Sequence, residues 1–159
     1  MGWLRHDHRV PGESWCRVDK VVAYIVRDVR VAVFFHGDDK SPLFESGLQV
    51  PAGTIEDGES PEQAVLREAV EETGLTAVRV LRYLGAAEYD MRPYADAGHN
   101  RHFFHLTVDG PVPEEWRHTE RGGGKDTPRE FRFSWLPIHR GHVLAAGLGA
   151  MLGRLAEEL

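Results

Sequence analysis

The run from Gly53 to Leu75, GTIEDGESPEQAVLREAVEETGL, constrains this chain more than any other stretch, because a loop, a helix start and a helix stop are all written into it. Ser60-Pro61-Glu62-Gln63 predicts the start. Ser60 is placed to cap the free N–H groups, Pro61 suits the first helical position, and Gln63 completes an S-x-x-Q capping box. Thr73-Gly74 predicts the stop, since glycine takes the left-handed conformation that closes a helix. Between them Leu66, Ala69, Val70 and Thr73 recur at the spacing of a buried face. At about 100° per residue, Glu68, Glu71 and Glu72 are expected together on the opposite side.

Local rules disfavour that grouping. Like charges three or four residues apart cost a helix roughly 0.2–0.5 kcal/mol per pair. The three glutamates also sit towards the C-terminal end, where the helix dipole opposes negative charge. Arg67 can pair with Glu71 one turn on, but it cannot neutralise the set. A hard divalent cation can, and Mg²⁺ prefers oxygen ligands, including a few carboxylates together with substrate phosphates. The plainer alternative is a solvated acidic helix face that buffers metal or only shapes the surface.

The spacing of the whole run weighs towards a catalytic metal site, with the acidic helix kept as a competing reading. Gly53 is followed by five residues and Glu59, then by seven residues and Arg67-Glu68, then by Ala69, one residue, Glu71-Glu72, one residue and Gly74-Leu75. Position for position this resembles the signature of the Nudix hydrolases, which cleave diphosphate linkages in nucleoside diphosphates joined to a further group. The resemblance implies an α/β fold of Nudix type, an α/β/α sandwich with a mixed β-sheet between helices. It implies metal ligation by Glu68, Glu72 and the backbone carbonyl of Ala52, with Glu71 as a further ligand, direct or through water. Glu59 would be a more distant helper, and Arg67 would orient the glutamates. The implied cofactor is Mg²⁺, with Mn²⁺ as the alternative; such an ion polarises phosphate oxygens and acidifies a bound water.

In this family the general base comes either from the signature helix or from a glutamate on a later loop. Glu120, next to Gly122-Gly123-Gly124, is the first candidate for the loop version, and Glu115 and Glu130 are its competitors. Lys125 after the glycines invites comparison with a phosphate-binding P-loop. That comparison fails, because the spacing to a first glycine is wrong and Asp126 stands where Ser or Thr is required. A lid is the better expectation there.

The remaining sequence bounds the setting. A chain of 159 residues suffices for one domain with a real core. We expect a leader or edge segment over residues 1–16 and a single domain over residues 17–159. Hydrophobic residues make up 42% and charged ones 28%, as in ordinary globular proteins. The net charge of -6 argues against general nucleic-acid binding, which needs a basic surface. Cys16 is the only cysteine, so no internal disulfide can form, and a reducing cytoplasm is the expected location. The N-terminus lacks the apolar stretch of a secretory signal, and no run reaches the roughly 18 apolar residues of a membrane span. The histidine pairs His6/His8 and His139/His142 have no companion zinc ligands in sequence.

Strands are expected at 18–26, 30–35, 48–50, 77–88, 102–108 and 129–136, and a final helix at about 141–158 with Leu144, Leu148, Met151, Leu155 and Leu159 on one stripe. The stretches 89–101 and 109–128 are expected as long loops. Arg92 and Arg101 are candidate phosphate-binding residues there, since arginine suits bidentate contacts to phosphate. Trp116 and Trp135 are candidates for stacking on a base, although Trp135, in FRFSWLPI, reads more as a strand residue packed in the core. Val50-Pro51-Ala52-Gly53 resembles a variant found in ADP-ribose pyrophosphatases. Pro93 lies near that branch's proline and Tyr94 near a tyrosine of the dinucleoside-polyphosphate branch, so the substrate is expected only as a class, a nucleotide-type small molecule. Many relatives dimerise, which leaves a homodimer open. A non-catalytic Nudix-type domain that senses a nucleotide is the competing functional class.

Overall fold

Val21 to Val26 are all apolar, so successive side chains need cover on both faces, and that strand belongs in the middle of a sheet. The computed structural model, which describes residues 16–36, 47–92, 97–120 and 128–159, has this arrangement. The elements run β1 (Cys16–Arg27), β2 (Arg30–His36), β3 (Ala52–Thr54), α1 (Pro61–Thr73), β4 (Val78–Asp90), β5 (Ala97–Val108), β6 (Trp116–Glu120), β7 (Arg129–Pro137), a 3-10 segment (Ile138–Val143) and α2 (Leu152–Glu157). The strands form one mixed sheet in the order β4-β5-β1-β2-β7-β6, with β3 paired to β1.

The strand β1 organises both layers. Val21, Ala23 and Ile25 face α1 and pack with Ala64, Val65 and Ala69. Val22, Tyr24 and Val26 face the other way, onto Phe103, Leu148 and Leu155. Each fully buried side chain of this size contributes about 1.5–3 kcal/mol, so the two clusters hold the layers to the sheet. A smaller cluster of Phe34, Phe131 and Phe133 lies under Trp116.

A fork in the sheet positions the site. One edge of β1 pairs in parallel with β5 from Cys16↔Ala97 to Val26↔Thr107. The other edge pairs with β2 only at Val26↔Val31 and Arg27↔Arg30, after which β2 leaves to join β7. The short strand β3 takes up the vacated edge, from Lys20↔Thr54 to Val22↔Ala52. The chain therefore enters α1 from the middle of the sheet rather than from its rim.

Several expected boundaries move. The strand expected at 48–50 is reduced to isolated bridges at Leu48 and Gln49, and the paired strand is β3. Cys16 opens β1 as an exposed free cysteine. The presumed loop 89–101 is strand at both ends, and β6 lies inside the presumed loop 109–128. Pairing with β5 and β7 supplies what the local sequence lacks. The single final helix is instead a 3-10 segment, a series of turns and the short α2. Ala146 and Gly147 have φ of 54° and 72°, which no helix accommodates, and the chain folds back so that Leu148 and Leu155 reach one cluster.

Residues 1–15, the expected loop residues 37–46, Pro93, Tyr94, the Gly122–Lys125 run and the His6/His8 pair lie outside the described residues. No helix among the described residues is long and apolar enough to cross a membrane.

Candidate active site

The helix α1 begins and ends as its sequence requires. Gln63 N–H donates to Ser60 Oγ at 3.1 Å, and Ser60 N–H donates to Gln63 Oε1 at 2.9 Å. Gly74 closes the helix in the left-handed conformation, φ 72°, with its N–H donating to Val70 O. The buried face, however, shares only Ala69 and Thr73 with the one periodicity selects. Ala64, Val65, Ala69, Glu72 and Thr73 are buried, whereas Leu66 is 38% exposed. Small side chains at 64, 65 and 69 let the helix axis approach the sheet, and the helix rolls onto them. Glu72 is carried into the interior at 8% exposure, Glu68 lies at the boundary and Glu71 remains outside. The glutamates thus line the junction of helix and sheet instead of forming one solvated face.

Arg67 binds this junction together. Its Nε and Nη2 donate to Glu59 at 2.7 and 2.9 Å, its Nη1 to Glu68 at 2.8 Å and to Glu71 at 3.3 Å, and its Nη2 also to the carbonyl of Thr54 at 3.0 Å. The planar fork uses bidentate geometry that a lysine cannot reproduce. The Arg67 guanidinium holds the Glu59 carboxyl down at about 2, from an ordinary 4.5. A group lowered on folding contributes stability above its unfolded value and loses it as pH falls through the folded one. The window for Glu59 is therefore from 4.5 down to about 2. A ¹³C NMR titration of the Glu59 carboxyl is expected to show a midpoint near 2 in the wild type and a return towards 4.5 in Arg67→Lys. An unchanged midpoint in the variant would remove Arg67 as the cause.

Gly53 provides the room for Glu68. A Cβ at this position would lie 2.0 Å from the Glu68 Cδ and 2.1 Å from its Oε1. Glu68, Glu71 and Glu120 each bring a carboxylate oxygen into one group with all separations within 4.8 Å. Glu120 reaches it because β6 alternates, with Trp116, His118 and Glu120 sharing one face. Glu72 is not in that trio. Its Oε2 accepts the N–H of Ala52 at 3.3 Å, so Ala52 meets the junction through its amide. Burial, then the charges of Glu68 and Glu120, raise the Glu72 carboxyl well above the usual range.

These residues fit a hard divalent ion. They offer only carboxylate oxygens, Arg67 is already spread over three of the acids, and a carboxylate as buried as Glu72 is costly to ionise without a cation.

The NUDIX domain family model matches residues 17–150. The chain belongs to the Nudix family. The ADP-ribose pyrophosphatase of Bacillus subtilis (strain 168) is 40% identical over 57 residues, a stretch covering 36% of this chain and 30% of that protein. The chain thus matches under a third of the length of that curated relative. Among solved structures, a UDP-X diphosphatase superposes with a TM-score of 0.62 at 18% identity, covering 92% of this chain and 65% of the other. A MutT NUDIX hydrolase from Burkholderia pseudomallei gives 0.62 at 19% identity, covering 87% and 98%. A C. elegans Ap4A hydrolase in a binary complex gives 0.62 at 14% identity, covering 89% and 96%. At such identities these likenesses establish the Nudix fold.

The other residues singled out in sequence are not gathered with the carboxylates. Glu130 is turned to the opposite face of β7 from the trio and pairs with Arg117 at 3.5 Å; Glu115 is exposed. Arg92 pairs with Asp90 at 2.6 Å on the surface. Arg101 is a strand residue rather than a loop residue and is 7% exposed. It donates to the carbonyl of Ala146 and stacks 4.2 Å above the Tyr89 ring. Both tryptophans are engaged in packing. The Trp116 Nε1 donates to Thr73 O at 3.0 Å while its ring stacks on Phe133, and the Trp135 Nε1 donates to Pro113 O at 3.0 Å. His139 and His142 line a depression of about 450 Å³ beside Leu152, away from the carboxylates.

Sequence reading missed Lys20, Thr54 and Arg129. Lys20 and Arg129 act electrostatically on Glu72, and Thr54 holds both Arg67 and Lys20. No local motif marks them. They are assembled by strand register alone.

Proposed function

We propose that the protein hydrolyses the diphosphate linkage of a nucleoside diphosphate joined to another moiety, with a divalent metal, Mg²⁺ or Mn²⁺, held by Glu68, Glu71, Glu72 and the backbone carbonyl of Ala52. The observation that carries this reading is the convergence of Glu68, Glu71 and Glu120 within 4.8 Å beside buried Glu72, in a chain of the Nudix family. A binding module gains nothing from mutually repelling acids, whereas a phosphoryl-transfer site needs them to concentrate positive charge.

A bound divalent ion supplies charge neutralisation for the diphosphate and acidifies water. The protein's own part is positional. Arg67 fixes the carboxylates of Glu68 and Glu71 through the contacts above. Glu120 takes the proton of the attacking water on a carboxylate oxygen. As the water oxygen bonds to phosphorus, the bridging P–O bond breaks, and its electron pair leaves with the other phosphate. Arg92 and Arg101 are assigned to the substrate side, Arg92 as a surface contact and Arg101 through the charge it holds on the sheet face away from α1. The acting unit is a soluble cytoplasmic enzyme, and a homodimer is compatible with it.

The test is Mg²⁺-dependent release of a monophosphate from a panel of ADP-ribose, dinucleoside polyphosphates, nucleotide sugars and nucleoside triphosphates. ADP-ribose comes first because of the Bacillus subtilis relative. Turnover of at least one member is expected, and Glu120→Gln is expected to lower its kcat by about 10²–10⁴-fold, the range for loss of a general base. Nucleotide binding without turnover under either metal would favour a sensor. Full activity in Glu120→Gln would return the base to the signature helix.

A further inference from the structure

We propose that Lys20, Thr54 and His99 form a subsite for the substrate phosphate that lies beyond the carboxylate cluster, with Lys20 as its charged donor. This rests on the hydrolase reading above. Lys20 stands at the fork of the sheet, paired with Thr54 of β3 on one side and with Arg101 of β5 on the other. The period of two along β1 sets it on the face of Val22 and Tyr24, and along β5 it sets His99 and Arg101 on that same face.

Among the described residues, the cations on this face meet neutral acceptors rather than carboxylates. Lys20 Nζ donates to Thr54 Oγ1 at 2.6 Å, a neutral oxygen, and among the described residues no carboxylate oxygen lies within 4.0 Å of it. An ammonium has three N–H groups, so two remain. Glu68 and Glu72 act on it only from a longer range, and burial lowers its pKa nevertheless. Arg101, behind it, is likewise buried and bonds to a carbonyl and an aromatic ring rather than to a carboxylate. Two cations are thus held partly or wholly out of water with no carboxylate in direct contact among the described residues, a state that a bound anion improves.

His99 completes the arrangement. Its Nδ1 lies 3.5 Å from the Arg101 Nη2 in a weak hydrogen bond, and since a guanidinium only donates, Nδ1 is the acceptor. The ring hydrogen then resides on Nε2, which becomes another donor. Burial and the charges of Lys20 and Arg101 hold the ring neutral, its pKa lowered to about 4. The sheet face therefore presents donors, and the adjoining helix junction presents carboxylates. A diphosphate whose attacked phosphorus lies at the carboxylates places its second phosphate on the donors.

The competing explanation is that Lys20 only balances the charge of Glu68 and Glu72. Calorimetric titration of inorganic pyrophosphate into the full chain, in EDTA at low ionic strength, separates the two. Lys20→Met is expected to weaken binding by about tenfold to a hundredfold, and Lys20→Arg to restore it to within about threefold. With Mg²⁺, KM for the substrate found in the panel is expected to rise in Lys20→Met more than kcat falls, with thermal unfolding unchanged. Equal pyrophosphate affinity in wild type and Lys20→Met, including no binding by either, overturns the proposal. A charge-balancing lysine would instead give tighter Mg²⁺ binding in Lys20→Met with pyrophosphate affinity unaffected. Absence of turnover across the panel, with the pyrophosphate result as expected, would sink the hydrolase reading alone.

Discussion

Glu72→Gln is expected to reduce turnover by about 10³-fold or more while leaving the protein folded. Glu72 is 8% exposed, held by one amide at 3.3 Å, and lies in the field of Glu68 and Glu120. The amide side chain keeps the shape and the hydrogen bond to Ala52 but removes the charge that a divalent ion needs. Stability should respond in the opposite direction. A carboxyl whose pKa is raised by folding favours the native state below its unfolded value and withdraws that support as pH rises through the folded one. Burial raises Glu72 well above 4.5, so the metal-free wild type is expected to melt lower at pH 8 than at pH 5. Saturating Mg²⁺ should reverse this loss by mass action, by about 2.7 kcal/mol at a hundred times Kd. Glu72→Gln should show neither the pH loss nor most of the Mg²⁺ gain. Thermal unfolding in EDTA and in Mg²⁺ at the two pH values checks it. Wild-type turnover in the variant would remove Glu72 from the metal site.

Gly53→Ala is expected to lower kcat/KM by about 10²-fold with little change in melting temperature, because a displacement of about 1 Å in a catalytic group has that scale of effect. Gly53 does not occupy the left-handed region, so its backbone would accept alanine. What the methyl group meets is the Glu68 carboxylate, at 2.0 Å from Cδ, 2.1 Å from Oε1 and 2.5 Å from Oε2. Those atoms end a flexible side chain, so Glu68 can swing aside and the fold can survive. In doing so it leaves the position shared with Arg67, Glu71 and Glu120. A control at Gly58 separates the steric cause from a general intolerance of loop substitutions, since a Cβ there meets nothing within 4 Å. Gly58 does adopt a φ of 78°, so Gly58→Ala is expected to cost some stability through strain, with kcat/KM nearly unchanged. Equal losses of kcat/KM in the two variants would discard the steric account.

The surroundings of Glu72 and Gly53 are set by tertiary contacts rather than by local sequence. The helix α1 was legible because Ser60, Pro61, Gln63 and Gly74 act within one or two turns of themselves, and such short-range chemistry is the same in any fold. The central strands were legible because Val21 to Val26 are apolar on both sides. The roll of α1 was not. The apolar period places Leu66 and Val70 inward with Ala69 and Thr73, whereas the sheet takes in Ala64 and Val65 instead of Leu66, and Glu72 goes inside with them. The final segment misled for a related reason. Its leucines have helical spacing, but Ala146 and Gly147 turn the chain back on itself.

The sequence by itself determined the family, the helix with its caps, and the set of acids that gather at one place, because all of these are encoded in residues contiguous along the chain. Only the tertiary structure decided that Glu120 is the later glutamate that joins Glu68 and Glu71, that Gly53 clears space for a carboxylate, and that Lys20 stands between Thr54 and Arg101 at the fork of the sheet. Those three depend on the pairing of β1 with β3 and β5 and on the register of β6, contacts between residues far apart in the chain that no local pattern specifies.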